Sequence, residues 1–527
     1  MIALVGFMGA GKTTIGRILA TRLGVPFVDV DALVEDRAGV SIRDLFDERG
    51  EGAFRALEAE VARAALGGRE AVIALGGGAL GDPTTVTALE WATVVHLDVS
   101  FREAMRRIGD TSSRPLLRDA DPKGLYDLRR AGYERVADHA VAVDGKTPDE
   151  VAAEIAGLVG ADAGEGSPRR IPVPIEGSSY DVLVGAGLLP RVGKLIPLPE
   201  DAEKVFVVTD PDVAAYAEHV ASAFAEKGVE RHKLVVPPGE ASKSVASAAA
   251  LLGELAARGA HRHDLVVGVG GGVVTDLAGF VASTYHRGMQ VVHVPTTLLG
   301  QVDAAIGGKT AVNLPQGKNL VGTFHQPRAV VCDVETLHTL PRAELVSGMA
   351  EVVKYGLISE PGMLDVVTGR AAEILAADES ILTELVTRSV AIKAAIVARD
   401  ERDKGPRAHL NYGHTFGHAI EHVSARKGAP FRHGEAVALG MMAAAFTAHE
   451  LGRIDESDVA AHRRALQAVG LPVEAPLDLG DLEEAWQHDK KYRRGVRFVL
   501  LSDLGRPEAG VEVGRDVLSR AVRRMSG

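Results

Sequence analysis

The chain has 527 residues, 46% of them apolar, enough for two to four domains each with its own core. Its net charge of −12, from 59 basic against 71 acidic residues without a long basic run, argues against nucleic-acid binding. The single cysteine, Cys332, excludes an intrachain disulfide and a cysteine-rich metal cluster. No apolar run approaches the roughly 18 residues that a membrane helix needs. Met1 leads almost directly into the first strand, which a cleavable signal would remove. The expectation is a cytoplasmic protein acting on small molecules, with neither nucleic acid nor membrane as partner.

Ile2-Ala3-Leu4-Val5 predicts a buried strand. Gly6-Phe7-Met8-Gly9-Ala10-Gly11-Lys12-Thr13 then completes a G-x-x-x-x-G-K-T phosphate loop, and Ile15, Ile18, Leu19 and Leu23 give the next segment a helical apolar stripe. In such a loop backbone N–H groups cradle phosphates, Lys12 reaches the β/γ-phosphates and the Thr13 hydroxyl ligates Mg²⁺. Gly9, Ala10, Gly11, Lys12, Thr13 and Thr14 are therefore the expected ATP contacts.

Apolar runs at 25–28, 71–75, 94–97 and 140–143 alternate with helical patterns, predicting a parallel sheet with helices on both sides. Asp29 and Asp31, two apart at the end of the second strand, face one side at the edge where such sheets bind ligands. Phosphoryl transfer needs a magnesium support and a carboxylate that orients or deprotonates the acceptor hydroxyl. Gly50-Glu51 with Phe54-Arg55 comes next, then Gly76-Gly77-Gly78, where a backbone can approach a ligand closely. Arg107 and Arg114-Pro-Leu-Leu117 stand in a stretch with Gly109, Ser112 and Ser113 that reads as a lid. Arg129 and Arg130 precede Tyr133, and arginines suit both phosphoryl charge and a small carboxylate acceptor.

These residues resemble shikimate kinase over nearly all of 1–158. The resemblance implies that Asp31, Arg55 and Arg129 hold shikimate beside Gly77 and Gly78, with Asp31 nearest the accepting hydroxyl. It also implies that Thr13 and Asp29 support Mg²⁺, Lys12 and Arg114 the transferring phosphate, and Arg107 the adenine end of ATP. The family usually shows Arg-x-Pro-Leu-Tyr where this chain has Arg129-Arg-Ala-Gly-Tyr133, which leaves Arg130 as an alternative to Arg129.

Small, polar and proline-rich residues over 161–174 read as a linker between a domain at 1–160 and the larger remainder of the chain. A second alternation, with strands near 205–209, 232–236, 265–269, 291–294 and 329–333, predicts a Rossmann-like α/β domain over 175–343. Long helical patterns then dominate 344–527, apart from an apolar run at 496–501. Val267-Gly-Val-Gly270-Gly271-Gly272-Val-Val-Thr275-Asp276 is a glycine-rich strand-to-helix turn that suits a pyrophosphate at a helix N-terminus, although it is not G-x-G-x-x-G. Asp210, Glu240, Lys243, Thr296 and Thr297 stand at or just beyond other strand ends, where polar groups meet a dinucleotide.

The helical part carries Glu351 and Lys354 in Met349–Gly356, Asn411, His414 and His418 in Leu410–Ala419, and His433 in Phe431–Glu435. One carboxylate with histidines and no cysteine is the ligand set of a catalytic zinc with an open position. His414 and His418, at i and i+4, share a helix face, as two ligands or as one ligand and one acid/base group. Arg287, Lys309, Lys318, Lys354, Lys393, Arg407, Lys490 and Lys491 suit a pocket for a phosphate and a carboxylate.

These motifs resemble 3-dehydroquinate synthase across about 175–525. The resemblance implies Zn²⁺ (or another divalent metal such as Co²⁺) on Glu351, His414 and His433, with His418 as an acid/base group. It places Asp303, Lys309, Lys318, Asn319, Lys354, Lys393, Arg407, Asn411 and Lys491 on the substrate, a seven-carbon keto-acid phosphate (DAHP), with Asp303 and Lys354 also catalytic. Arg287 would come from a partner subunit of a homodimer. NAD would touch Asp210, Glu240, Lys243, Gly271, Gly272, Asp276, Thr296, Thr297, Lys309 and Lys318. Asp403 stands where the family more often has Glu. The function implied is bifunctional: phosphorylation of shikimate, and conversion of DAHP to 3-dehydroquinate and phosphate. The alternatives are a related sugar-phosphate cyclase or polyol dehydrogenase, joined to another small-metabolite kinase or to a degenerate regulatory one.

Overall fold

Strands β1 (Ile2–Val5), β2 (Phe27–Asp29), β3 (Val72–Ala74), β4 (Thr93–Asp98) and β5 (His139–Ala142) form a parallel sheet in the order β2-β3-β1-β4-β5. The computed structural model describes every residue except 24, 67–70, 90–91, 110–120, 163–167, 404, 488–495 and 527. Arg114, Ser112, Ser113, Lys490 and Lys491 therefore lie outside the described residues. The chain divides into two units, Met1–Ser167 and Pro168–Gly527.

In the first unit each strand is a short apolar run because helices cover both faces of the sheet. Leu4, Val72, Ile73, Val95 and Leu97 pack with Ile15, Leu19 and Ile155 from the helices into one core. The strand order reverses about β1, whose neighbours are β3 and β4. Ligands in such sheets bind at that reversal, beyond the carboxyl ends of the strands, and the phosphate loop leaves β1 there.

The second unit is built on a seven-stranded sheet. Its order is β6 (Arg169–Val173), β7 (Tyr180–Gly185), β14 (Ala329–Asp333), β11 (Gln290–Pro295), β10 (Leu265–Gly270), β8 (Lys204–Thr209) and β9 (Glu230–Val235). All neighbours are parallel except β6, which runs antiparallel to β7. Successive residues feed opposite faces: Val205 and Val207 enter one core cluster, Phe206 and Val208 the other. Two hairpins complete the strands, β12 (Lys309–Leu314) with β13 (Gly317–Phe324) and β15 (Arg497–Asp503) with β16 (Arg506–Glu512).

The structure changes one reading. Residues 169–173, placed in a linker, form edge strand β6, because Ile171 and Val173 alternate inward while Arg169, Arg170 and Pro172 stay exposed. An edge strand tolerates Pro172, since one side of the strand needs no ladder donor.

The helical part brings three helices together: Arg342–Ile358, His414–Arg426 and His433–Glu450. The last is buried along almost its whole length. Close approach depends on its glycines: a Cβ on Gly434 would meet the Ser347 carbonyl oxygen, and one on Gly440 the Gly413 carbonyl oxygen. The Gly434 N–H also donates to Ser347 Oγ at 3.0 Å, which fixes the start of this helix against the helix carrying Glu351.

His293 on β11 is buried, its Nδ1 without a hydrogen-bond partner, and burial pushes its pKa down to about 3. The folded state therefore binds fewer protons than the unfolded chain from about pH 6.5, the ordinary histidine value, down to about 3. The stability this neutral ring permits is complete above the upper limit and lost as pH falls through the window. Denaturant midpoints of the second unit are expected to drop from pH 7 to pH 4, less steeply in His293→Gln. Parallel curves for the two proteins would remove His293 from the acid sensitivity.

Candidate active sites

The phosphate loop runs from β1 into the helix Lys12–Leu23. Gly9 (φ 81°) and Gly11 (φ 92°) take left-handed backbone that an L side chain resists. Lys12 Nζ donates to the Gly6 carbonyl at 2.7 Å, so its ammonium lies within the loop. Thr13 Oγ1 donates to Asp29 Oδ2 at 2.7 Å, joining the two expected magnesium supports. Arg107 reaches the Gly9 carbonyl (3.3 Å) and the Val143 carbonyl (3.2 Å) from the helix Phe101–Ile108.

The Gly76–Gly78 turn is ringed by polar groups. A Cβ on Gly76 would meet Asp31 Oδ1 and Glu58 Oε1, one on Gly77 would meet Arg129 Nη1 at 3.1 Å, and one on Gly78 the Arg55 guanidinium. Asp31, Arg55 and Arg129, which the resemblance assigns to one ligand, stand around this turn. Arg129 and Arg130 diverge on their helix: Arg130 pairs with Asp98 Oδ2 (3.1 Å) and Glu134 Oε1 (3.0 Å), leaving Arg129 at the turn. Burial lowers the Arg129 pKa, the penalty of holding a cation away from water.

Sequence reasoning assigns Glu58 and Tyr133 no role of their own. Glu58 is buried and accepts from Arg55 Nη1 at 2.6 Å; burial raises its pKa against the pull of Arg55. Its spacing of three from Arg55 on one helix was the available signal. Tyr133 donates to the Gly77 carbonyl at 2.6 Å and is pushed up to about 12 by burial.

In the second unit the strand order reverses between β8 and β10. Asp210, at the end of β8, caps the next turn by accepting from the Asp212 N–H at 2.9 Å. The helix Gly272–Thr284 begins with no side-chain cap, so its first N–H groups are available at the end of β10. A Cβ on Gly271 would lie 3.1 Å from Thr297 Cγ2, and Thr296 Oγ1 is buried without a hydrogen-bond partner. Lys243 pairs with Asp276 and donates to Asn319 Oδ1 at 2.6 Å; Asn313 donates to Glu240 Oε1 at 2.7 Å. Burial raises Asp276 to about 6 despite Lys243. Glu240, Lys243, Asn313 and Lys318 line an open pocket of about 480 Å³.

Glu351, His414 and His433 each offer a ligand atom, all within 4.8 Å of one another. His414 Nε2 lies 3.4 Å from Glu351 Oε1 and His433 Nε2 4.0 Å from it. Glu351 is 1% exposed; neither oxygen is matched to a donor in hydrogen-bonding geometry, although Lys354 pairs with Oε2. A buried carboxylate left so, facing two imidazoles, fits a divalent metal. Burial opposes its charge, but Lys354 and His414 hold its pKa below the usual range. The His418 ring stands 5.4 Å from His414 and 6.1 Å from His433.

Beside this cluster Asp303 sits on a π-helical turn, Gly300–Ala304, a distortion common at functional sites. Lys393 donates to Asp303 Oδ1 at 2.6 Å, and Tyr355 to the same oxygen at 3.1 Å. Burial penalises the carboxylate, but Lys393 and Lys354 keep it ionised. Lys309 pairs with Asp403, which Arg407 Nε approaches at 3.4 Å, so the shorter acid is engaged. Arg407 is buried and donates to the Gly307 carbonyl at 3.1 Å. Asn411 donates to the Ala408 carbonyl at 3.2 Å. Arg287 is exposed with φ 63°, and no described contact brings it to this cluster. Glu421, also passed over, accepts from Lys318 and from His433.

A P-loop phosphotransferase fold and an α/β-plus-helical fold of the sugar-phosphate cyclase type therefore share this chain. Residues 8–159 match the shikimate kinase family model, residues 233–347 the 3-dehydroquinate synthase N-terminal model and 348–492 its C-terminal model. The 3-dehydroquinate synthase of Rhodococcus opacus (strain B4) is 46% identical over 342 residues, 64% of this chain and 90% of its own. A solved 2-deoxy-scyllo-inosose synthase, complexed with carbaglucose-6-phosphate, NAD⁺ and Co²⁺, is 28% identical at a TM-score of 0.62, covering 68% of this chain and 100% of its own. The 2-epi-5-epi-valiolone synthase of Streptomyces hygroscopicus subsp. jinggangensis 5008, with NAD⁺ and Zn²⁺ bound, is 28% identical at 0.60, covering 67% and 98%. The chain belongs to the 3-dehydroquinate synthase family, with a shikimate kinase domain preceding the synthase: it is a bifunctional enzyme of the shikimate pathway. Among the described residues no helix is long and apolar enough to cross a membrane.

Proposed function

We propose that both sites turn over: the first transfers the γ-phosphoryl of MgATP to shikimate, and the second converts DAHP to 3-dehydroquinate and phosphate with NAD⁺ and a divalent metal. The observation that carries the second half is the buried Glu351 carboxylate, paired with Lys354 on one oxygen and faced by His414 and His433, the three ligand atoms lying within 4.8 Å of one another.

In the kinase, Thr13 and Asp29 hold Mg²⁺, and Lys12, with Arg114, neutralises the transferring phosphoryl group. Arg107, bonded to the loop carbonyl of Gly9, supports the adenine side. Arg55 and Arg129 bind the shikimate carboxylate against Gly77 and Gly78, and Asp31 orients the accepting hydroxyl. Glu58 holds Arg55 in place.

In the synthase, Glu351, His414 and His433 hold the metal; the Gly271-Gly272 turn, Thr296, Thr297, Asp276, Lys243, Glu240 and Asp210 hold the dinucleotide. A metal held there would supply Lewis-acid polarisation of a substrate hydroxyl, and a nicotinamide dinucleotide would supply reversible hydride chemistry without net consumption. Lys309, Lys318, Lys354, Lys393, Arg407, Lys491, Asn319 and Asn411 bind the phosphate and carboxylate of DAHP and its hydroxyls. Asp303, ionised against Lys393, orients the substrate, and the His418 imidazole carries a proton to or from it.

The reading extends to a cytoplasmic homodimer through the synthase unit, with exposed Arg287 serving the partner's site. Its domain division is a kinase at 1–160 and synthase parts at 175–343 and 344–527. Neither reaction makes the other's substrate, so handing an intermediate between the sites is not the reason for the fusion. Turnover of DAHP and of shikimate with ATP is measured on one purified sample, with and without a chelator selective for zinc over magnesium. Both activities are expected, and only DAHP turnover is lost to the chelator. Net NADH release from DAHP would favour a dehydrogenase, and a folded chain without shikimate turnover a regulatory kinase domain.

A further inference from the structure

Glu421 lies on the helix His414–Arg426 at positions that repeat one face: His414, His418 and Glu421 stand at i, i+4 and i+7. Its two oxygens serve different partners. Oε2 lies 3.3 Å from His433 Nδ1, and Oε1 accepts from Lys318 Nζ at 2.5 Å. His433 Nδ1 donating to a carboxylate leaves the Nε2 lone pair for the Glu351 side, where Nε2 stands 4.0 Å from Oε1. A histidine whose outer N–H is held this way keeps one tautomer and ring orientation and is a better metal ligand. Lys318 reaches Glu421 from hairpin β12–β13, the hairpin that also carries Asn313 and Asn319 against Glu240 and Lys243. One carboxylate therefore joins the metal-facing ring to the hairpin that lines the open pocket.

We infer that Glu421 is a positioning residue: it orients His433 for the metal and anchors the Lys318 hairpin against the same helix. The inference rests on the metal-site reading above. A ligand anion that takes Lys318 leaves Glu421 to His433 alone, so the two contacts need not break together.

The test measures Zn²⁺ affinity of the full chain by competition with a chromophoric chelator, and the visible spectrum of the Co²⁺-loaded protein. The proteins compared are the parent, Glu421→Ala, Glu421→Gln, Lys318→Met and His414→Ala. Glu421→Ala is expected to weaken Zn²⁺ binding by about 10- to 100-fold and to shift the Co²⁺ bands. Glu421→Gln, which keeps one acceptor oxygen for Nδ1, should recover part of that loss, and Lys318→Met should bind Zn²⁺ within about threefold of the parent. Circular dichroism and the denaturant midpoint of the second unit, compared with the parent, report that the unit carrying the substitution is folded. If His414→Ala loses the metal while Glu421→Ala binds it as tightly as the parent with unchanged Co²⁺ bands, the inference is overturned and the metal site stands. If His414→Ala binds as the parent does, the metal site itself is misplaced.

Discussion

His414→Ala is expected to lose the bound metal and to lower DAHP turnover on the order of 10³-fold, with shikimate phosphorylation retained. The magnitude reflects the several kcal/mol of charge stabilisation that a metal supplies at a reacting oxygen. Removing His414 leaves Glu351 and His433 as the ligands, with Glu351 still buried against Lys354. A carboxylate so placed closes onto the ammonium more readily than onto a two-ligand metal. Metal content by mass spectrometry, read beside both activities, decides the matter, and undiminished zinc in the variant would exclude His414 as a ligand.

Lys12→Ala is the counterpart in the first unit. The Lys12 ammonium is held at the phosphate loop by the Gly6 carbonyl, where it meets the charge that develops on the transferring phosphoryl group. Loss of one such preorganised charge costs about 10²- to 10³-fold in rate. Kinase turnover is expected to fall by that factor while DAHP turnover stays within about twofold, because the two units have separate sheets and separate cores. Initial rates on one preparation check both halves of the statement. Kinase activity within tenfold of the parent would mean that another group carries the phosphate charge.

The phosphate loop was legible in the sequence because eight consecutive residues, a strand before them and a helix after them make the whole device. The same holds for the turn Gly270–Gly272 at the end of β10, whereas the choice of Glu351 and His414 as metal ligands came from the resemblance. Most parallel strands at the sheet centres were equally plain, since burial on both faces leaves continuous apolar runs; β7 was not placed, its apolar run being only 182–184. Edge strand β6 and strands β13 and β16 were not, because one face of each meets solvent and dilutes the apolar content, whereas β15 falls on the apolar run at 496–501. Resemblance supplied the choice of His433 and of Arg129, which spacing alone left open.

What the sequence determined by itself was local: motifs whose chemistry is complete within one turn of chain. Tertiary structure alone decided that Arg130 is claimed by Asp98 while Arg129 meets Gly77, that Asp403 engages both Lys309 and Arg407, and that Glu421 stands between His433 and Lys318. The reason is that a long charged side chain has several partners within reach. Which one it takes depends on how distant helices and hairpins pack, and packing is settled by burial over whole cores rather than by neighbours in sequence.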